Sequence, residues 1–129
     1  MKQNILCICT MGENRSKYFA TYLRNKGYKT RWGGVGPCRV DPAPTNPVKE
    51  KDIEWADVII TARPKHELEM KKKFNIKNKK LIILDVCDSR KKIGEIYPEL
   101  NFLDKEVFNK KWTYPQLRKS IKPYLPLEK

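Results

Sequence analysis

Apolar residues in this chain fall into short unbroken runs separated by stretches of helical period. The run Ile5-Leu6-Cys7-Ile8-Cys9 has no polar alternation, which predicts a strand covered on both faces. Gly12 and Asn14 then mark a turn. Residues 16–26 predict a helix with Phe19, Tyr22 and Leu23 on one face and Gly27 as its stop. A second strand is expected over 28–32, closed by Gly33-Gly34. Residues 35–48 are proline-rich without a period and predict a long loop, a common place for function. A short helix is expected over 48–56 and a third buried strand over 57–61. Pro64 opens a helix to about residue 74, in the first-turn position that suits proline. The fourth strand is 80–85, followed by a polar loop over 87–92. The tail predicts one helix near 103–108 and another after Thr113, where Thr113 and Gln116 match a capping box.

Strand and helix patterns alternate from end to end, so the fold class is α/β: a parallel sheet flanked by helices. There is no internal repeat or low-complexity linker, and 129 residues fit one domain spanning 1–129. In such sheets ligands bind beyond the carboxyl ends of the strands. Cys9, residues 61–63 and residues 85–88 all fall at such ends, which brings three segments to one rim.

Composition narrows the function. No stretch of 18 apolar residues is present to span a membrane. The apolar run after Asn4 is too short for a secretory signal, which points to the cytoplasm. The four cysteines, Cys7, Cys9, Cys38 and Cys87, include no C-x-x-C pair, and there is one histidine, so neither a metal nor a cofactor is expected. The formal charge of +13 attracts anions such as phosphorylated substrates or nucleic acid. The lysines are scattered, as in a merely soluble surface.

The chemistry concentrates in Cys9-Thr10-Met11-Gly12-Glu13-Asn14-Arg15-Ser16, a C-x5-R-S pattern. A strand delivers Cys9 to the sheet edge. The five intervening residues wrap with their N–H groups inward, and the following helix aims its positive end at the same point. Arg15 has the planar fork to hold two phosphate oxygens. Cysteines in such places titrate at roughly 3.5–7.5 rather than about 8.5, so Cys9 is expected to be a nucleophilic thiolate. Ser16 would donate to that thiolate, Gly12 supplies the φ a tight loop needs, and Asn14 would tie the loop down through its amide. Thr10, Met11 and Glu13 complete the candidate phosphate-binding loop, with the Glu13 carboxylate turned to solvent.

This loop, its place after the first strand and the order of elements resemble the low-molecular-weight protein tyrosine phosphatase fold family over roughly residues 4–103. Two branches are similar: short prokaryotic phosphatase-like proteins, and the branch that removes serine phosphate from the RNA polymerase II C-terminal repeat. The second is similar in Asn14-Arg15-Ser16 and in Lys26-Gly27 near the end of the next helix. The resemblance implies a three-layer sandwich with a four-stranded parallel sheet of order 2-1-3-4. It implies hydrolysis of phosphate monoesters, on phosphoprotein, through a phosphocysteine. In Asp85-Val86-Cys87-Asp88 it implies that the second aspartate, Asp88, is the general acid; Asp85 is the second candidate and would orient the loop or bond to Arg15. The chain departs from the tyrosine-specific pattern. Ser89 replaces the proline after the acid, Gly12 replaces a loop asparagine, and Asn14 replaces a second loop cysteine.

Two rival functions share these features. Arsenate reductases have the same fold and loop but need further cysteines for a disulfide relay, and Cys87 alone lies near the expected rim. A non-catalytic phosphate or nucleic-acid binder would suit the charge, although aromatic residues are not interleaved with the basic runs. Trp32, Tyr97 and Trp112 are candidates to wall a ring-binding slot, and Arg90 to Lys92 to meet an acidic substrate. His66 is expected at the surface of a lysine-rich helix, without a catalytic role.

Overall fold

A computed structural model describes residues 3–36 and 46–126. Its centre is a four-stranded parallel sheet of order β2-β1-β3-β4, made of β1 (Asn4–Cys9), β2 (Lys29–Gly34), β3 (Val58–Thr61) and β4 (Lys80–Ile83). This is the expected three-layer sandwich and strand order. The alternation of side chains along β1 explains its unbroken apolar run. Ile5 and Cys7 join Phe19, Leu23, Leu117 and Ile121, on the side of helices α1 (Arg15–Arg24) and α6 (Tyr114–Ile121). Leu6 and Ile8 join Val48, Ile53 and Met70, on the side of α2 (Glu50–Trp55) and α3 (Pro64–Lys73). By contrast β4 is an edge strand and leaves Ile83 exposed.

Several expectations shift. α1 begins at Arg15 and ends at Arg24, and Gly27, at φ 98°, makes the turn that follows. β2 runs on to Gly34, and β4 stops at Ile83. The polar loop expected over 87–92 holds as far as Ser89, but its last three residues begin a helix, α4 (Arg90–Ile96). Its first turn is hydrophilic and Gly94 weakens the helical signal, but Ser89 Oγ accepts the Lys92 N–H at 3.3 Å and Ile93 is buried. Cap and burial together outweigh propensity. In the tail, α5 (Lys105–Phe108) runs through a π-turn (Asn109–Thr113) directly into α6. Thr113 therefore has helical φ/ψ of −58° and −52° and makes no cap bond, so the capping box does not form. A residue inside a continuous helical run has no free N-terminal N–H groups to cap. Most of the proline-rich loop, with Cys38, lies outside the described residues.

The exit of β2 positions the segment after β1. Val35 N–H donates to Cys9 O, Gly36 N–H to Thr10 O and Asn46 N–H to Met11 O. The Asn46 side chain adds bonds to Gly12 O and Trp32 O. Two glycines permit this approach. A Cβ on Gly12, already at φ 82°, would meet Asn46 O at 2.4 Å; one on Gly34 would meet Met11 C at 2.4 Å and Thr10 O at 2.5 Å. Each contact is with backbone, which cannot swing away. Gly34→Ala is therefore expected to displace residues 10–12 and to weaken inorganic phosphate binding at least tenfold, with a destabilisation of about 1–3 kcal/mol. Calorimetric titration with phosphate beside urea unfolding checks this; unchanged phosphate affinity would show that the loop does not lean on β2.

Candidate active site

The strand β1 ends at Cys9 and α1 begins at Arg15, so the loop between them closes over the N-terminus of α1. Cys9 Sγ sits at its base. The Gly12 N–H donates to Sγ at 3.3 Å, and Ser16 Oγ lies 3.2 Å from it. The sulfur thus faces the Gly12 N–H and the N-terminus of α1. A pocket of about 290 Å³ opens above it, lined by residues that include Cys9, Thr10, Met11, Glu13, Asn14, Arg15 and Asp88. Lys65 and Lys105 stand on its rim. Glu13 is exposed, as expected from its charge.

Arg15 is a buried cation, only 5% exposed. Its Nη1 donates to Val86 O at 2.7 Å, its Nη2 to Thr10 Oγ1 at 3.4 Å, and its Nε lies 3.3 Å from Asp88 Oδ2. The guanidinium therefore joins the loop to the segment after β4. Asp88 is the aspartate brought to the pocket. Asp85 is not: it is exposed and pairs with Arg63 at 2.9 Å, away from Arg15. Residues 85–88 continue outward from an edge strand, so adjacent side chains diverge and only one reaches the loop.

Asn14 does more than tie down its own loop. Its Nδ2 donates to Asp88 Oδ2 at 2.9 Å, and its Oδ1 accepts from Asn109 Nδ2 and Tyr114 OH, both at 3.2 Å. Asn109 and Tyr114 lie at the start of the π-turn and just beyond its end, an irregularity that often marks a site. Burial, and then the neighbouring Tyr18, push the Tyr114 phenol up, so it stays a donor. Asn109, Tyr114 and Asn46 were not legible as site residues. Each arrives from a distant segment, and no local pattern announces it.

His66 contradicts expectation most sharply: it is fully buried. Its Nδ1 accepts the Arg63 N–H at 3.1 Å, the reach-back half of a capping box at the third position of α3. Its Nε2 lies 2.9 Å from Thr10 Oγ1. The surrounding lysines suggested a solvated face, but α3 turns the His66 edge toward the sheet. Burial, followed by the cations Arg15, Lys65 and Arg63, lowers its pKa from 6.5 to about 3.

The other sequence candidates stand apart. Trp32 packs against the core near Arg24, and Trp112 donates to Cys87 O while contacting Tyr97. None of these aromatics lines the pocket over Cys9. Cys7, Cys9 and Cys87 are free thiols; burial, reinforced by Cys9, pushes the Cys7 thiol up, out of reach of nucleophilic use. A larger groove of about 730 Å³ near the C-terminus of α3 holds none of the candidate residues. Among the described residues no three His, Cys, Asp or Glu side chains converge on a metal position, and no helix is long and apolar enough to cross a membrane.

No protein-family model and no curated protein sequence matches the chain. Solved structures do. The tyrosine phosphatase Wzb from Escherichia coli, solved with phosphate, superposes with a TM-score of 0.66 at 17% identity, covering 96% of this chain and 96% of that one. A low-molecular-weight protein tyrosine phosphatase from T. tengcongensis gives 0.63 at 17% identity, over 96% and 98%. The YwlE arginine phosphatase from Geobacillus stearothermophilus gives 0.62 at 17% identity, over 95% and 90%. The chain has the low-molecular-weight protein tyrosine phosphatase fold.

The buried histidine makes stability depend on pH. Its folded pKa of about 3 lies below the unfolded value of 6.5, so the unfolded chain binds the extra proton between them. Stability is complete above pH 6.5 and falls as the pH drops toward 3. The His66 contribution is expected to be about 2 kcal/mol smaller at pH 5 than at pH 8. Urea unfolding of wild type and His66→Gln at both pH values checks this, and equal pH dependence in the two proteins would exclude it.

Proposed function

We propose that the protein is a cysteine-dependent phosphatase that hydrolyses phosphate monoesters on phosphoprotein through a phosphocysteine intermediate. The observation that carries this reading is the convergence on one pocket of Cys9 Sγ, the buried Arg15 guanidinium and the Asp88 carboxyl. The fold supports it, since solved proteins of that fold are named as phosphatases.

The cycle has two steps. Cys9, as thiolate, attacks phosphorus while loop N–H groups and Arg15 stabilise charge on the equatorial oxygens. Asp88, protonated, gives its proton to the leaving oxygen as the P–O bond breaks. Water then attacks the phosphocysteine; Asp88 takes a proton from it, the P–S bond breaks and inorganic phosphate leaves. Ser16 Oγ, close to Sγ, stabilises the returning thiolate. Asn14 orients the acid by its bond to Asp88 Oδ2. The lysines on the rim, Lys65 and Lys105, favour acidic sequence around the phosphorylated residue. The solved relatives are named as tyrosine and arginine phosphatases, so phosphotyrosine, phosphoserine and phosphoarginine peptides form the substrate panel.

The purified protein is expected to turn over p-nitrophenyl phosphate in the presence of a chelator. Cys9→Ser should abolish turnover and Arg15→Ala nearly so. Asp88→Ala should lower kcat by about 100-fold or more for phenyl phosphate, a poor leaving group, and less for p-nitrophenyl phosphate. Steady-state kinetics on the three variants check this; wild-type rates in Cys9→Ser would overturn the mechanism. Thiol titration before and after arsenate distinguishes phosphatase from arsenate reductase: an unchanged thiol count fits the former, and disulfide formation the latter.

A further inference from the structure

The bonds between His66, Thr10 and Arg15 add to the hold that the β2 exit has on the loop. They also fix the direction of one hydrogen. His66 Nδ1 accepts the Arg63 N–H, so its lone pair is occupied and the neutral ring carries its proton on Nε2. Burial and three nearby cations keep the ring neutral, with a pKa lowered to about 3. Nε2–H therefore donates to Thr10 Oγ1 across 2.9 Å. The same oxygen accepts from Arg15 Nη2 at 3.4 Å. A hydroxyl has two lone pairs and one hydrogen. Both lone pairs of Thr10 face cationic or N–H donors, and its hydrogen is left to point elsewhere. Thr10 is half-exposed and lines the pocket above Cys9, where an ionised phosphate offers only acceptors.

We propose that His66 is a positioning residue that acts through Thr10: it locks the Thr10 hydroxyl as a hydrogen-bond donor to the phosphoryl group bound over Cys9. The inference rests on the phosphatase reading for the identity of the anion, but not for the geometry. The device works without a proton transfer. The imidazole is a fixed donor, and its partner hydroxyl relays that polarity into the pocket. Thr10 follows directly after β1, and continued alternation turns it to the α3 face, whereas Cys9 belongs to the α1 face. One strand end thus presents a sulfur and a hydroxyl to one pocket.

The experiment is a double-mutant cycle read by inorganic phosphate binding in calorimetry and by kcat and KM for p-nitrophenyl phosphate. Thr10→Val removes the hydroxyl at near-constant volume, and His66→Leu removes the buried donor. Each is expected to weaken phosphate binding about ten- to a hundredfold, the worth of a hydrogen bond to a charged group. The double variant should be no worse than Thr10→Val alone, because both changes break one path. His66→Gln, whose amide N–H can occupy the Nε2 position, should recover most of the loss, and Thr10→Ser likewise. Additive losses in the double variant, or wild-type phosphate affinity in Thr10→Val, would overturn the proposal. If His66→Leu does not fold, Thr10→Val and His66→Gln still decide it: a weak Thr10→Val with a near-native His66→Gln supports it. Phosphate binding that obeys the cycle in a protein without turnover would retain this inference while removing the phosphatase reading.

Discussion

A buried guanidinium organises this molecule. Removing an arginine side chain from water costs several kcal/mol unless it is paired, and Arg15 finds two hydrogen bonds and one ion pair by spanning parts of the chain that are remote in sequence. Val86 O comes from beyond β4, Thr10 Oγ1 from beyond β1, and the Asp88 carboxylate from the segment leading to α4. The loop, the edge strand and the proposed acid are thus held in one arrangement by the needs of a single cation. The same partners leave Arg15 beside Cys9, where its positive charge serves an incoming anion. Structural satisfaction and the proposed chemistry use the same atoms.

Around that cation the site is built as concentric support. The exit of β2 and Asn46 hold the loop from one side through backbone bonds, which is why glycine stands at positions 12 and 34. His66 holds Thr10 from the α3 side. Asn109 and Tyr114 hold Asn14, and through it Asp88, from the π-turn. Each support, backbone or side chain, spends hydrogen-bonding capacity within the protein, so the pocket is organised before an anion enters. Preorganisation of this kind lets dipoles stabilise charge without rearranging during reaction.

Local pattern and tertiary contact contributed differently to what was legible. The unbroken apolar run of β1 and the C-x5-R-S spacing were readable because both are contiguous and have one physical solution. A strand covered on both faces ends, and a loop of fixed length returns to a helix N-terminus. The start of α4 has a hydrophilic first turn, which in sequence resembles a loop; only the Ser89 cap and the burial of Ile93 make it helical. The charged neighbours of His66 in sequence predict a solvated position, yet one face of α3 packs on the sheet. Its surroundings come from Thr10 and Arg15, more than fifty positions earlier in the chain.

By itself the sequence determined the α/β class, the rim at the strand ends, and the candidate loop from Cys9 to Ser16. These follow from short-range periodicity and from the geometry of one contiguous turn. Tertiary structure alone decided which aspartate meets Arg15, what Asn14 holds, and that the lone histidine faces the loop. Those facts depend on which distant residues the sheet and the π-turn bring within hydrogen-bonding distance, and a one-dimensional pattern carries no record of such distances.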